Sequence, residues 1–164
     1  MEMRRSDRAV TEIADLLAIL DQCKVCRLAM TDGEAPYLVP LNYGYTWSEG
    51  LLTLYFHSAR AGRKIDILKK TGVACFEVDC EHGLVEGDAA CDYGFTFASV
   101  IGVGDVVFLE EKADKIYALN QLMRCQTGVD REYTYHDAHL ANTAVYKLVV
   151  RDFSGKRKAL PRVN

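Results

Sequence analysis

No uncharged apolar stretch in this chain approaches the ~20 residues that a membrane-crossing helix needs. The opening residues, Met-Glu-Met-Arg-Arg-Ser-Asp-Arg, are charged and lead into no isolated apolar run of the kind that directs export. The expected setting is therefore cytoplasmic, with no membrane partner. Positive charge is not in excess either: 20 Lys plus Arg against 23 Asp plus Glu give a net charge of −3. Without a global basic field to hold a polyanion, nucleic acid is not an expected partner. Neither G-x-G-x-x-G nor G-x-x-x-x-G-K-[ST] occurs, which removes the usual dinucleotide and nucleoside-triphosphate cradles. Gly102-Val-Gly104 is half of the first motif, but it sits in a β-rich run with no helix after it. Internal repeats, linkers and low-complexity segments are also absent.

What is present is ordinary for a folded chain. With 164 residues, 49% apolar and 26% charged, the length and composition fit one globular domain, residues 1–164, able to bury roughly 70% of its unfolded surface. Six cysteines could pair in fifteen ways if all were oxidised, but the missing export signal favours reduced thiols. Cys23-Lys-Val-Cys26 is the one C-x-x-C, with no second half to complete a zinc site and no βαβ context for a redox fold. Cys26 runs on into Leu28-Ala29-Met30, where thiols act as small hydrophobes.

Periodicity predicts a helix from Thr11, as N-cap, to Gln22, with Ile13, Leu16, Leu17 and Leu20 on one stripe. Strands are expected at Val25–Met30 and Pro36–Tyr45, joined by a turn at Asp32-Gly33, and at Leu51–Phe56 after Ser48-Glu49-Gly50. A helix follows over Arg63–Lys70, stopped by Thr71-Gly72, and then a strand over Val73–Val78. Glu81 to Tyr93 reads as a long exposed connection. Phe95–Leu109 reads as β with a bulge or barrel corner at Gly102 and Gly104. Glu110–Arg124 is a second amphipathic helix with Ile116, Leu119 and Met123 on one side, and Thr143–Val150 is a last strand. About six strands with few intervening helices predict a mainly β (α+β) fold: a closed antiparallel barrel with peripheral helices.

The stretch that carries chemistry is Tyr55-Phe56-His57-Ser58-Ala59-Arg60-Ala61-Gly62-Arg63-Lys64, where a strand ends, a polar loop follows and a helix begins. A helix start offers unpaired N–H groups, Arg60, Arg63 and Lys64 add cations, and Ser58 adds a hydroxyl, a combination suited to one phosphate monoester. The competing reading is a solvated helix face with His57 as a structural histidine. In Val39-Pro40-Leu41-Asn42-Tyr43-Gly44-Tyr45 a proline interrupts a strand. That irregularity fits an edge strand, or a backbone along which a flat ligand lies, held by Asn42 and walled by Tyr43 or Tyr45. His136-Asp137-Ala138-His139 lacks a third ligand, so no metal is assigned. Asp79, Glu81, Glu86 and Asp88 read as a solvated acidic stretch.

Met3-Arg4-Arg5, Arg27-Leu28-Ala29-Met30, Pro36 through Tyr45, Leu54 through Ala59 with Gly62-Arg63-Lys64, and Cys75-Phe76-Glu77-Val78 together resemble successive signatures of the nitroimidazole-resistance proteins. Those belong to the pyridoxamine 5′-phosphate oxidase-like flavin-binding superfamily. The likeness runs in order from about residue 3 to 110 and continues weakly to Gly155-Lys156-Arg157. It implies a split β-barrel homodimer with FMN at the subunit interfaces. Val39, Pro40, Leu41, Asn42 and Tyr43 would lie along the ring and ribityl chain, and His57, Ser58, Arg63 and Lys64 around the phosphate. Ser99 and Val100 resemble the strand that reaches the flavin pocket, from its own or the partner subunit. The resemblance makes His57 the catalytic candidate, since an imidazole with an unperturbed pKa of about 6.5 exchanges protons near neutrality. The expected activity is an FMN-dependent oxidoreductase acting on a small-molecule acceptor such as a nitroaromatic compound. The alternative is a module that binds or senses flavin, the deazaflavin F420 or haem without turnover. Vitamin B6 oxidation is disfavoured, because the superfamily's substrate-phosphate residues have no match here.

Overall fold

The computed structural model describes residues 4–33 and 35–159; Met3, which opens the first of the motifs above, lies outside them. The helix predicted from Thr11 is α1, Ile13–Gln22, and its N-cap is Glu12, with no side-chain capping bond. Leu16, Ile19 and Leu20 supply the buried stripe, as their i, i+3, i+4 spacing requires. The second helix, α2, spans Arg63–Thr71 and ends at Gly72. Gly72 is left-handed, at φ 66°, a conformation glycine adopts without strain, and its N–H closes on the Leu68 carbonyl at 2.9 Å.

Eight antiparallel strands make up the sheet among the described residues: β1 Ala9–Val10, β2 Cys26–Asp32, β3 Ala35–Leu41, β4 Gly44–Ser48, β5 Leu51–Ala59, β6 Val73–Val85, β7 Gly94–Leu109 and β8 Thr143–Lys158. Their order is β3-β2-β6-β7-β8-β5-β4, with β1 added to β8. The expected mainly β (α+β) split barrel with peripheral helices is observed, with eight strands rather than about six, and it is not closed: consecutive strands β3 and β4 sit at opposite ends of the path.

Pro36–Tyr45 is accordingly two strands rather than one. The Asn42 side-chain amide donates to the Lys24 carbonyl (3.0 Å) and to Gln126 Oε1 (3.2 Å), while Gln126 Nε2 donates to the Tyr43 carbonyl (2.9 Å). Those distant partners pull the backbone out of β3 and hand it to β4. There Gly44 lies so close to the third helix, α3 (Lys112–Thr127), that a β-carbon would overlap the Leu122 backbone.

The long strands also exceed their predicted lengths. Glu81–Val85, expected in an open connection, continue β6 past an irregularity between Cys80 and Gly83, so the connection shrinks to residues 86–93 with a 3-10 turn at Ala90–Asp92. The Glu81 carboxylate accepts two hydrogen bonds from Arg157 (3.0 and 2.9 Å), which ties the polar ends of β6 and β8 together. The predicted bulge is present: the β7–β8 register shifts between Val103 and Gly104.

Leu28, Leu54, Phe56, Phe76, Val78, Val100, Tyr146 and Leu148 fill the main core, with Cys23 and Cys26 among them. Burial raises both thiols, Cys26 to about 12, so neither forms thiolate readily, in keeping with their expected role as hydrophobes. A smaller core of Tyr55, Ala118, Leu119, Leu140 and Val145 lies beneath α3 and α4 (Asp137–Asn142). The buried stripe of α3 is Lys115, Ala118, Leu119 and Leu122, one position round from the predicted Ile116, Leu119 and Met123, and it carries a lysine. Among the described residues no helix is long and apolar enough to cross a membrane.

Candidate functional site

Strand β5 and helix α2 meet at residues 57–64. His57 and Ser58 end β5 opposite Val145 and Ala144 of β8, so the central sheet fixes their positions. Gly62 then turns at φ 127° and begins α2 with no side chain capping it. Open space surrounds its missing β-carbon, so the glycine is needed for its dihedral angle rather than for room. The first α2 carbonyl bonds are closed by the Ile65 and Asp66 N–H groups to Gly62, and the amides before them face outward at the positive end of the helix.

Lys64 is half-buried and makes no ion pair or hydrogen bond among the described residues. Its removal from water lowers its pKa. It also acts on His57, whose pKa is held below the ordinary 6.5 first by desolvation and second by the Lys64 charge. His57 retains contact with solvent, but its imidazole is thus mainly neutral at pH 7, offering one N–H donor and one acceptor nitrogen. The sequence-level picture of a histidine poised at its unperturbed pKa is corrected accordingly.

Beside this corner the Tyr146 hydroxyl is fully buried and has no hydrogen bond of acceptable geometry. Burial raises its phenol, and the nearby Ser58 hydroxyl partly opposes that rise. Ser58 itself donates to the Ala59 carbonyl at 3.0 Å. An orphaned phenol, a hydroxyl, an unpaired ammonium and an uncapped helix start together fit the phosphate end of a cofactor.

The other predicted residues divide. Arg63 reaches the β2–β3 hairpin, where its Nε donates to Asp32 Oδ2 (2.7 Å) and its guanidinium lies 4.5 Å from the Tyr37 ring centre. It therefore links α2 to β3, leaving its terminal nitrogens over half-exposed ground. Arg60 turns away, donating to the Ala141 carbonyl at 2.7 Å. Val39, Pro40 and Leu41 lie on β3, which pairs with β2 alone and so has a free backbone edge, where a proline is tolerated. Tyr43 is 1% exposed and its hydroxyl donates to the Leu20 carbonyl at 2.7 Å. Tyr45 bonds to Asp21 at 2.7 Å and is likewise buried. The Tyr43 ring is enclosed in the core, Tyr45 borders a cavity with Trp47 and Gln121, and the Asn42 amide bonds to Lys24 and Gln126.

Val100 is fully buried, so its side chain faces the core, whereas Ser99 is half-buried on the opposite face, between Asp79 and Lys156. Ser99 pairs with Lys156 and His57 with Val145 on the same strand β8, eleven positions apart, or roughly 35 Å of strand. Within one chain the structure does not bring Ser99 to His57. The imidazoles of His136 and His139 have ring centres 6.0 Å apart, and no group of three or more metal-ligating side chains occurs among the described residues. Tyr146 is the site residue that sequence reasoning missed; its place in the alternating run of β8 gave no sign that its hydroxyl would be orphaned.

A family model described as pyridoxamine 5′-phosphate oxidase matches residues 12–157. The chain is similar in structure to a candidate 5-nitroimidazole antibiotic resistance protein from Bacteroides thetaiotaomicron, with 31% identity, 91% of this chain and 86% of that one covered, and a TM-score of 0.78. It shares its fold with the flavocytochrome Anf3 from Azotobacter vinelandii (24% identity, 99% and 75% covered, TM-score 0.79). The same holds for a FAD and heme binding protein from Mycobacterium smegmatis (19% identity, 96% and 77% covered, TM-score 0.75). No curated protein sequence matches.

Proposed function

Because the chain belongs to the pyridoxamine 5′-phosphate oxidase family, we propose that it is an FMN-binding oxidoreductase, working as a homodimer on a small acceptor such as a nitroaromatic compound. The observation that carries this reading is the uncapped start of α2 with unpaired Lys64 beside His57, Ser58 and the orphaned Tyr146 hydroxyl. The likeness to a candidate 5-nitroimidazole resistance protein supports the choice of acceptor. In this reading Lys64, Ser58 and the α2 amides would hold the FMN phosphate, and Arg63 would join them through the guanidinium nitrogens that Asp32 does not use. The free edge of β3 at Val39, Pro40 and Leu41 would hold the flavin ring. Ser99 reaches the site from the partner subunit, since eleven strand positions separate it from His57 in its own chain.

When bound, FMN supplies the electrons. The chain binds and orients it, and neutral His57 hydrogen-bonds the acceptor and passes it a proton taken up from solvent. A non-catalytic flavin, F420 or haem carrier is the second reading, favoured by the shared fold with the flavocytochrome and with the FAD and heme binding protein.

The visible spectrum and mass of whatever copurifies test the cofactor: bound FMN is expected, and a colourless protein indifferent to added FMN overturns both flavin readings. With FMN bound, reduction by a nicotinamide donor and reoxidation by a nitroaromatic should slow in His57→Ala without release of flavin. An unchanged rate removes His57 from the chemistry.

A further inference from the structure

Helix α3 closes the free edge of β4 only in part. β4 is the last strand on its side of the sheet and pairs with β5 alone. At Tyr45 that edge is covered: the backbone N–H donates to Cys125 Sγ (3.4 Å), and the carbonyl accepts from Arg124 Nη2 (3.0 Å). Strand alternation turns the backbone N–H and C=O of Trp47 to the same edge, where neither has a hydrogen bond among the described residues. A cavity of about 430 Å³ opens there between α1, β4 and α3, within the size range of small-molecule pockets. Its walls are aromatic at Tyr45, Trp47 and Tyr117, and Arg124 is the one charged side chain that lines it.

Arg124 is left short of acceptors. Its Nη2 is taken by the Tyr45 carbonyl, its Nε is buried with no hydrogen-bond partner, and no carboxylate lies within ion-pair distance among the described residues. A guanidinium N–H shut away from both water and an acceptor is costly, and a desolvated charge is normally compensated. Nη1 bonds to no described residue either, but it is not sealed in, so it is the end open to a guest. The acid on that side, Asp21, accepts the Tyr45 hydroxyl at 2.7 Å and does not line the cavity.

We propose that this cavity binds a small aromatic carboxylate, whose carboxylate pairs with Arg124 and whose ring lies against Trp47 and Tyr117. A carboxylate matches a guanidinium in geometry as well as charge, and a planar ring gains from aromatic faces in a way an aliphatic acid does not. The Gln121 amide and the Trp47 backbone N–H offer further donors on the same wall. The site is separate from the α2 cradle, since His57, Ser58, Arg63 and Lys64 do not line it. It stands whether or not the flavin reading does.

Trp47 is the one tryptophan of the chain, so its fluorescence reports on this cavity directly. Titration of the purified protein with benzoate should change that emission saturably. Benzamide, which keeps the ring and loses the charge, and acetate, which keeps the charge and loses the ring, should each bind about tenfold more weakly. Arg124→Gln should weaken benzoate binding to a similar extent. Tyr117→Ala, a change at a position 52% exposed that leaves folding intact, should weaken it severalfold, so the proposal stays open to refutation if the Arg124 variant does not fold. Lys64→Ala should leave benzoate binding as it is. No saturable change, benzamide or acetate equal to benzoate, equal affinity in Arg124→Gln or Tyr117→Ala, or loss of binding in Lys64→Ala would each overturn it.

Discussion

Two junctions drew notice in the sequence, and the structure treats them in opposite ways. At the β3–β4 junction every conspicuous side chain is spoken for: Asn42 and Gln126 interlock with Lys24 and the Tyr43 backbone, Tyr43 bonds to Leu20, and Tyr45 to Asp21. At the β5–α2 junction the polar groups are left over: Lys64 without a partner, Tyr146 without a hydrogen bond, the helix without a cap. Irregular sequence thus marks both a structural joint and a receptive site. What separates them is whether the molecule itself satisfies the groups it brings together.

The sharpest way to break this contrast is Gly44→Ala. Its β-carbon would press on the α3 backbone at Leu122, so stability should fall by about 3 kcal/mol or more, read from the denaturant midpoint. A variant as stable as the parent but poorer in flavin would reverse the assignment of the two junctions. Lys64→Ala is the counterpart. Flavin binding should weaken by about 1.5–3 kcal/mol, the loss of a charge-assisted contact, while the flavin-free protein keeps its stability to within about 0.5 kcal/mol. Calorimetry that finds affinity intact and stability lost would make Lys64 a structural residue.

Tyr43→Phe should cost about 1 kcal/mol, because the Leu20 carbonyl loses its buried donor. Flavin affinity should not change, and a clear drop would return Tyr43 to the binding surface. The smallest effect concerns pH. Since His57 titrates below 6.5 when folded, the unfolded chain binds more protons between that depressed value and 6.5, and stability should rise with pH across the interval. Thermal melts of His57→Gln should show a shallower rise there. Lys64→Met should move the imidazole titration, followed by NMR, back toward its ordinary value.

Much of this was legible along the chain where cause and effect are local. The stripe of α1, the Gly72 stop of α2 and the bulge between Val103 and Gly104 each depend on neighbours within a turn or a register step. The failures share a different origin. Glu81 and Arg157 lie 76 positions apart, and only their pairing allows polar segments to run as strand. The break at Asn42 depends on Gln126, 84 positions away. The further role of Arg63, tying α2 to the β2–β3 hairpin, depends on Asp32, 31 positions away, and on the Tyr37 ring. The predicted stripe of α3 is one position off because the contacts that orient the helix, to β4 and β8, are distant in the chain.

Strand β8 pairs with β7 along one side and with β5 and β1 along the other, yet it follows all of them in the chain. A polypeptide emerging from its N-terminal side must therefore carry two half-sheets, β3-β2-β6-β7 and β5-β4, with raw edges until residues 143–158 arrive to stitch them. That interval is when this protein is most exposed to sticking to other nascent chains, and when a chaperone would have the most to shield.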